Sequence, residues 1–217
     1  MIPKIVLILG TMYTGKTYAA GYLARALNRP FIIIVHTHPD ESYRIRNAAR
    51  NTTRWIAVRA PACTVSPHLL RETRRHHRYL YFSIYDLSTK QTQIFFASLA
   101  AAIRQVGNLG LFIDEAHLFC RYQLVGDDFI GFVRGSRHFG VDVVLVTHRL
   151  RDIDVGIRCV ITHMVLFRTT EENDIELLAR ELGMKREDAL KVRQLPDRQH
   201  LFVDRRTNYI SPSPQQI

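Results

Sequence analysis

The chain carries Gly10-Thr11-Met12-Tyr13-Thr14-Gly15-Lys16-Thr17, the spacing G-x-x-x-x-G-K-[ST]. Glycines at those two places let backbone N–H groups curl around an anion, and a helix opening directly after them adds a favourable field. A lysine at this position reaches the β- and γ-phosphates of a nucleoside triphosphate, and the threonine hydroxyl ligates Mg²⁺. The expected ligands are therefore ATP and Mg²⁺. Residues 10 to 17 form the cradle, and Tyr18 follows on the first helical turn.

A second chemical feature lies about a hundred residues on, in Leu109-Gly-Leu-Phe-Ile-Asp114-Glu115. An apolar strand ending in a carboxylate can support the metal shell, which assigns Asp114 beside Thr17 as a metal residue. The adjacent Glu115 can orient and deprotonate a water for attack on the γ-phosphate. Transfer of phosphate to a small acceptor does not need a base in that place. The pair points to hydrolysis.

These groups need elements to hold them. Ile5–Leu9, Phe31–His36, Trp55–Val58, Tyr79–Ile84, Leu111–Asp114, Val143–Thr147 and Met164–Phe167 are short, apolar, and rich in β-branched or aromatic residues, and they read as strands. Lys16–Asn28, Gln91–Val106, Asp127–His138 and Glu171–Leu182 have helical periodicity. Fully apolar strands separated by helices predict an α/β fold with three layers, a mainly parallel sheet covered on both faces. Residues 1–210 are expected to form one domain and 211–217 a loose tail.

Composition narrows the class further. The 217 residues are 47% hydrophobic and 23% charged, which excludes wholesale disorder. Cys63, Cys120 and Cys159 are odd in number and widely spaced, so neither a disulfide framework nor a cysteine zinc site is expected. His36 with His38, and His76 with His77, lack companions at metal spacing. No apolar run is long enough to span a membrane, and the chain reads as soluble and not secreted. The net charge is +10, and +8 of it lies between Arg44 and Arg78, where nine arginines face one acid, Glu72. Arginine suits phosphate because its planar fork hydrogen-bonds bidentately and stays charged. Arg71, Arg74, Arg75 and Arg78, the densest part, are the candidate nucleic-acid contacts.

The stretch Phe132-Val-Arg134-Gly-Ser-Arg137-His-Phe-Gly140, followed by Val141–Thr147, His148 and Arg149, resembles the FtsK–HerA superfamily of DNA-pumping ATPases. Asp152–Arg158, Met164–Arg168 and Leu195–Asp204 extend the resemblance, which covers residues 4–17 and 109–204. It implies a RecA-like P-loop NTPase of the ASCE class. It also implies that Lys16 and Glu115 act in hydrolysis, and that Arg137, with Arg134 beside it, reaches a neighbouring subunit's site. His148 stands where such proteins usually have a sensor glutamine. A motor-only chain of this size is similar to the genome-packaging ATPases of membrane-containing icosahedral viruses. That likeness implies a homo-oligomeric ring, pentamer or hexamer, moving double-stranded DNA in the host cytoplasm or at the virion, with capsid or membrane-vertex proteins as partners. The alternatives are a filamentous-phage-assembly or zonula-occludens-toxin-like ATPase, a small-molecule kinase, and a non-hydrolysing nucleotide switch. A helicase is discounted, because the Asp114-Glu115-Ala116-His117 string lacks the rest of the helicase motifs.

Overall fold

The computed structural model describes residues 2–37, 55–59, 64–85, 87–180, 183–211 and 215–216, without the side chains of 55–59, 122–124 and 215–216. Of the arginine-rich segment, Arg44, Arg46, Arg50 and Arg54, and the Arg59 side chain, lie outside the described residues.

The first half of the chain gives β1 (Ile5–Leu9), α1 (Lys16–Ala26), β2 (Ile32–His36), β3 (Trp55–Arg59), α2 (Pro67–His76), β4 (Tyr79–Ser83) and α3 (Thr89–Val106). Then come β5 (Gly110–Ile113), α4 (Ala116–Phe119), α5 (Tyr122–Gly135), a 3₁₀ turn (Ser136–Phe139) and β6 (Asp142–Thr147). The chain continues through α6 (Val155–Arg158), β7 (His163–Leu166), α7 (Glu172–Arg180), α8 (Arg186–Arg193), β8 (Gln199–Asp204), β9 (Tyr209–Ile210) and β10 (Gln215–Gln216). The strands form one sheet in the order β10-β8-β7-β1-β6-β5-β2-β4-β3, with β9 on β8. The pairs from β7 across to β3 are parallel, and β8 is antiparallel to its three neighbours. β6 is thus an additional strand between the phosphate-loop strand and the carboxylate strand, as the ASCE class requires.

Side chains alternate across this sheet and bury both faces. Leu7, Leu9, Leu111, Ile113, Val143 and Leu145 pack with Phe95, Phe96, Phe129 and Phe132 of α3 and α5. Val6, Ile8, Ile34, Phe112 and Val144 pack against Ala19, Ala20 and Ala24, the small residues of α1. Local signals set the helix starts. Ser88 and Gln91 make a reciprocal capping box at α3, and Ser66 caps α2 with Pro67 at its first position.

The structure differs from the sequence reading at three places. The Asp127–His138 helix ends at Gly135, after which Ser136–Phe139 tighten into the 3₁₀ turn, and Gly126 (φ 67°) breaks the helical path just before Asp127. Arg71–His76 are the C-terminal part of a helix, α2, that charge had masked, because only Leu70 and Thr73 of it are buried. The described residues of the segment expected to be a loose tail lie against β8. Ser211 is buried and exchanges hydrogen bonds with Phe202, and Gln215–Gln216 pair with β8.

A buried ion pair fastens the ends of the strands opposite the phosphate loop. Asp142, which opens β6, accepts from the Arg29 Nε in a short contact and from the Lys4 backbone N–H at 2.6 Å. Arg29 also donates to Asn108 at 3.0 Å, joining the α1–β2 turn to the α3–β5 loop. Removing one partner leaves a buried, uncompensated charge, so Asp142→Ala should lose about 3–5 kcal/mol of stability. The shift in the urea midpoint measures it.

Candidate active site

The phosphate loop leaves β1 and turns over a fixed floor. A Cβ on Gly10 would stand 2.6 Å from Cβ of Phe167, so only glycine fits there. Gly15 has φ 110°, which favours glycine, and it turns the chain into α1. The loop is tied down by its own polar groups. Thr11 N–H donates to the Arg168 carbonyl at 2.8 Å, and the Thr14 hydroxyl donates to the Thr11 carbonyl at 2.8 Å. The Lys16 ammonium lies inside the loop, 2.6 Å from the Thr11 carbonyl it donates to. Met12 and Tyr13 are the exposed crest. Below them opens a cavity of about 930 Å³, bordered by Lys16, Thr17, Tyr18, Asp114, Glu115 and Arg198 among others.

The carboxylates enter from the next parallel strand but one. Asp114, at the end of β5, is 4% exposed. Its Oδ1 accepts the Glu115 backbone N–H at 3.0 Å. Glu115 has φ 48°, a left-handed conformation that non-glycine residues adopt at a cost of order 1–3 kcal/mol and that clusters at functional sites. It swings the carboxylate off the strand direction and against two imidazoles. Glu115 Oε2 lies 3.0 Å from His148 Nδ1 and 3.2 Å from His117 Nδ1. The two rings are 3.9 Å apart between centroids. His148 is the expected sensor position, and the structure sets it directly on the expected base.

Thr17 and Asp114, the expected metal residues, border the same cavity. Arg134 and Arg137 do not. Both side chains are exposed at the end of α5 and in the 3₁₀ turn, ahead of β6, whereas the phosphate loop follows the far ends of the strands. Arg74, Arg75 and Arg78 also gather at that opposite end, and Arg71 is exposed about one turn earlier on α2. Arg75 pairs with Glu72 at 2.7 Å, Arg74 donates to the Gly107 carbonyl at 3.4 Å, and Arg78 stacks on Tyr79. Arg74, Arg75 and Arg78 border a cleft of about 430 Å³ with Asn28 and Pro30.

Sequence reasoning missed three residues. Phe167 floors the loop. Arg198, in a left-handed turn (φ 63°), donates its backbone N–H to the Thr14 carbonyl and borders the cavity. His117 completes the imidazole pair, and its one sequence signal is its place two residues after Glu115.

Burial, and next the neighbouring His148, push the His117 pKa down from 6.5 to about 4. Because the unfolded chain takes up this proton first, the associated stability is intact above about pH 6.5 and is lost as pH falls toward 4. The contribution of this group should fall by up to about 3 kcal/mol across that window. Urea unfolding at several pH values checks this, since His117→Gln should flatten that part of the profile.

Residues 114–206 match the family described as Poxvirus A32 protein. No curated protein shows a significant sequence match. Among solved structures, the chain is similar to B204, the DNA-packaging ATPase from Sulfolobus turreted icosahedral virus, at 22% identity and TM-score 0.73, over 100% of both chains. It is also similar to the genome-packaging NTPase B204 from Sulfolobus turreted icosahedral virus 2 in complex with ATP-γS, at 19% identity and TM-score 0.70, over 96% of this chain and 95% of that one. VirB4 of Thermoanaerobacter pseudethanolicus matches at 11% identity and TM-score 0.68, over 98% of this chain and 89% of that one. The chain has the P-loop ATPase fold of these solved structures, and its residues 114–206 match the model of the Poxvirus A32 protein family.

Proposed function

We propose that this chain hydrolyses ATP to drive double-stranded DNA into a viral capsid, working as a homo-oligomeric ring. The observation that carries the hydrolytic part is one cavity bordered by Lys16, Thr17, Asp114 and Glu115, with the Glu115 carboxylate held by His148. The match to the poxvirus A32 family and the likeness to B204 support the packaging part.

Lys16 neutralises the terminal phosphates, and the loop N–H groups hold the β-phosphate. The Thr17 hydroxyl and the Asp114 carboxylate form an oxygen donor set suited to a hard cation, and Mg²⁺ bound there would screen the phosphate charge. Glu115 accepts a proton from water as the water oxygen bonds to the γ-phosphorus, and the bond to the bridging oxygen breaks to leave ADP. His148 fixes the orientation of the base at 3.0 Å, so its sensor role runs through Glu115.

The exposed Arg134 and Arg137 lie at the opposite end of the sheet from their own cavity, which suits contact with the next subunit. The arginines of α2 and the start of β4 sit at that same end and grip the DNA backbone without regard to sequence. Among the described residues no helix is long and apolar enough to cross a membrane. The motor's place of work is the host cytoplasm or the virion vertex, against capsid or membrane proteins.

Two measurements test this. Glu115→Gln should lower ATP turnover by about 10²–10⁴-fold while ATP binding persists. Double-stranded DNA should stimulate the wild type, and if four phosphates are neutralised, a fourfold rise in salt should weaken DNA binding by about 10²-fold. Turnover indifferent to DNA at both salt concentrations would remove the motor reading. The second test concerns Arg137. Arg137→Ala should cost about 10³-fold or more in the assembled ring. Mixing it with Glu115→Gln should then recover activity, because some interfaces join an intact base to an intact arginine. Equal loss in the mixture and in the separate variants would refute an arginine acting across the interface.

A further inference from the structure

Beside the Mg²⁺ position, the same end of the sheet gathers a different set of donors. Glu115, His117 and His148 each offer one ligand atom, and these atoms all lie within 4.8 Å of one another. No other such group of three occurs among the described residues. Nitrogen-rich donors suit a borderline ion such as Zn²⁺ far better than Mg²⁺, which prefers oxygen. The spacing is also suitable. Bonds of about 2.0–2.2 Å to a tetrahedral ion put neighbouring ligand atoms roughly 3.3 Å apart. Glu115 Oε2 already stands 3.0 Å and 3.2 Å from the two imidazole nitrogens. The ring packing and the left-handed turn at Glu115 hold the three groups together, so little reorganisation is needed.

We propose that Glu115, His117 and His148 form a Zn²⁺-class transition-metal site whose occupation switches hydrolysis off. Three protein ligands leave a fourth position for water, which is an open rather than a structural arrangement. An ion there takes the Oε2 that His148 otherwise orients, so Glu115 no longer accepts the proton of the attacking water. Nucleotide binding through Lys16 is untouched. The switch-off rests on the hydrolytic reading of Glu115, but the binding of the ion does not.

The test begins without nucleotide, using Co²⁺ absorption and Zn²⁺ calorimetry on the full chain. One ion per chain is expected, with tetrahedral Co²⁺ bands. Loss of one ligand in His117→Gln or His148→Gln should weaken binding by at least about tenfold. Because His117 is buried, a wild-type measurement accompanies the variants. In ¹H–¹⁵N spectra, Zn²⁺ should shift the ring nitrogens of His117 and His148 and leave the other imidazoles in place. ATP turnover with excess Mg²⁺ should then fall as Zn²⁺ fills the site. Absence of ring shifts, or binding unchanged in the His117→Gln, His148→Gln double variant, overturns the site even if Glu115→Gln abolishes turnover. Binding at these residues with turnover at the full rate overturns the switch and the role of Glu115 as base.

Discussion

The parallel register of β1, β6 and β5 is the constraint on which the site depends. Leu9 is paired with Thr147, and Ile113 with Leu145, so β5 stops two residues short of the level where β1 and β6 end. Asp114 and Glu115 therefore reach the height of the phosphate loop and of His148 just as the chain leaves the sheet. A slip of one residue in any of these strands would exchange its two faces. It would bury Val6 and Ile8 where Leu7 and Leu9 belong and turn the carboxylates away from Lys16. Fully apolar strands carry no alternating pattern to forbid such a slip. The register is held instead by side-chain size on each face, and at the far end by Asp142, which the Lys4 N–H and Arg29 both engage.

The two faces of the sheet are covered by different means. Phenylalanines of α3 and α5 interlock edge to face, with Phe96 and Phe129 centroids 4.7 Å apart. On the other side α1 presents alanines, which lets the helix that starts at the phosphate loop lie close to β1 and β6. That closeness aims the N-terminus of α1 at the cavity and not past it. Packing and anion binding are served by the same small residues.

Much of this was legible in the sequence. The seven expected strands are found within about a residue of their bounds, because short apolar runs between helices have one economical arrangement in water. The loop motif and the carboxylate pair located the cavity, since their chemistry is local. What was hidden is what the fold brings together from afar. Glu115 and His117 meet His148, which lies 33 residues beyond Glu115, and nothing local in Asp114–His117 marks the His117 imidazole as part of the site. Arg198 faces the loop only because β8 returns antiparallel beside β7. α2 was obscured for a different reason. A helix with few apolar residues, whose exposed side is mostly arginine and histidine, reads first as a run of charge.

The Phe167 floor beneath Gly10 and Gly15 has a mechanical meaning. A methyl group on Gly10 would overlap the Phe167 side chain, so the backbone lies close over that residue, and a packed interior yields little to compression. The phosphate loop can give way in one sense only, outward from the sheet, where Met12 and Tyr13 meet solvent. Thr14 is also tethered to Arg198 and Thr11 to Arg168, so both feet of the loop are fixed to the β7–β8 side of the sheet. The loop is braced from beneath and at both feet, and only its crest at Met12 and Tyr13 stands clear of the sheet.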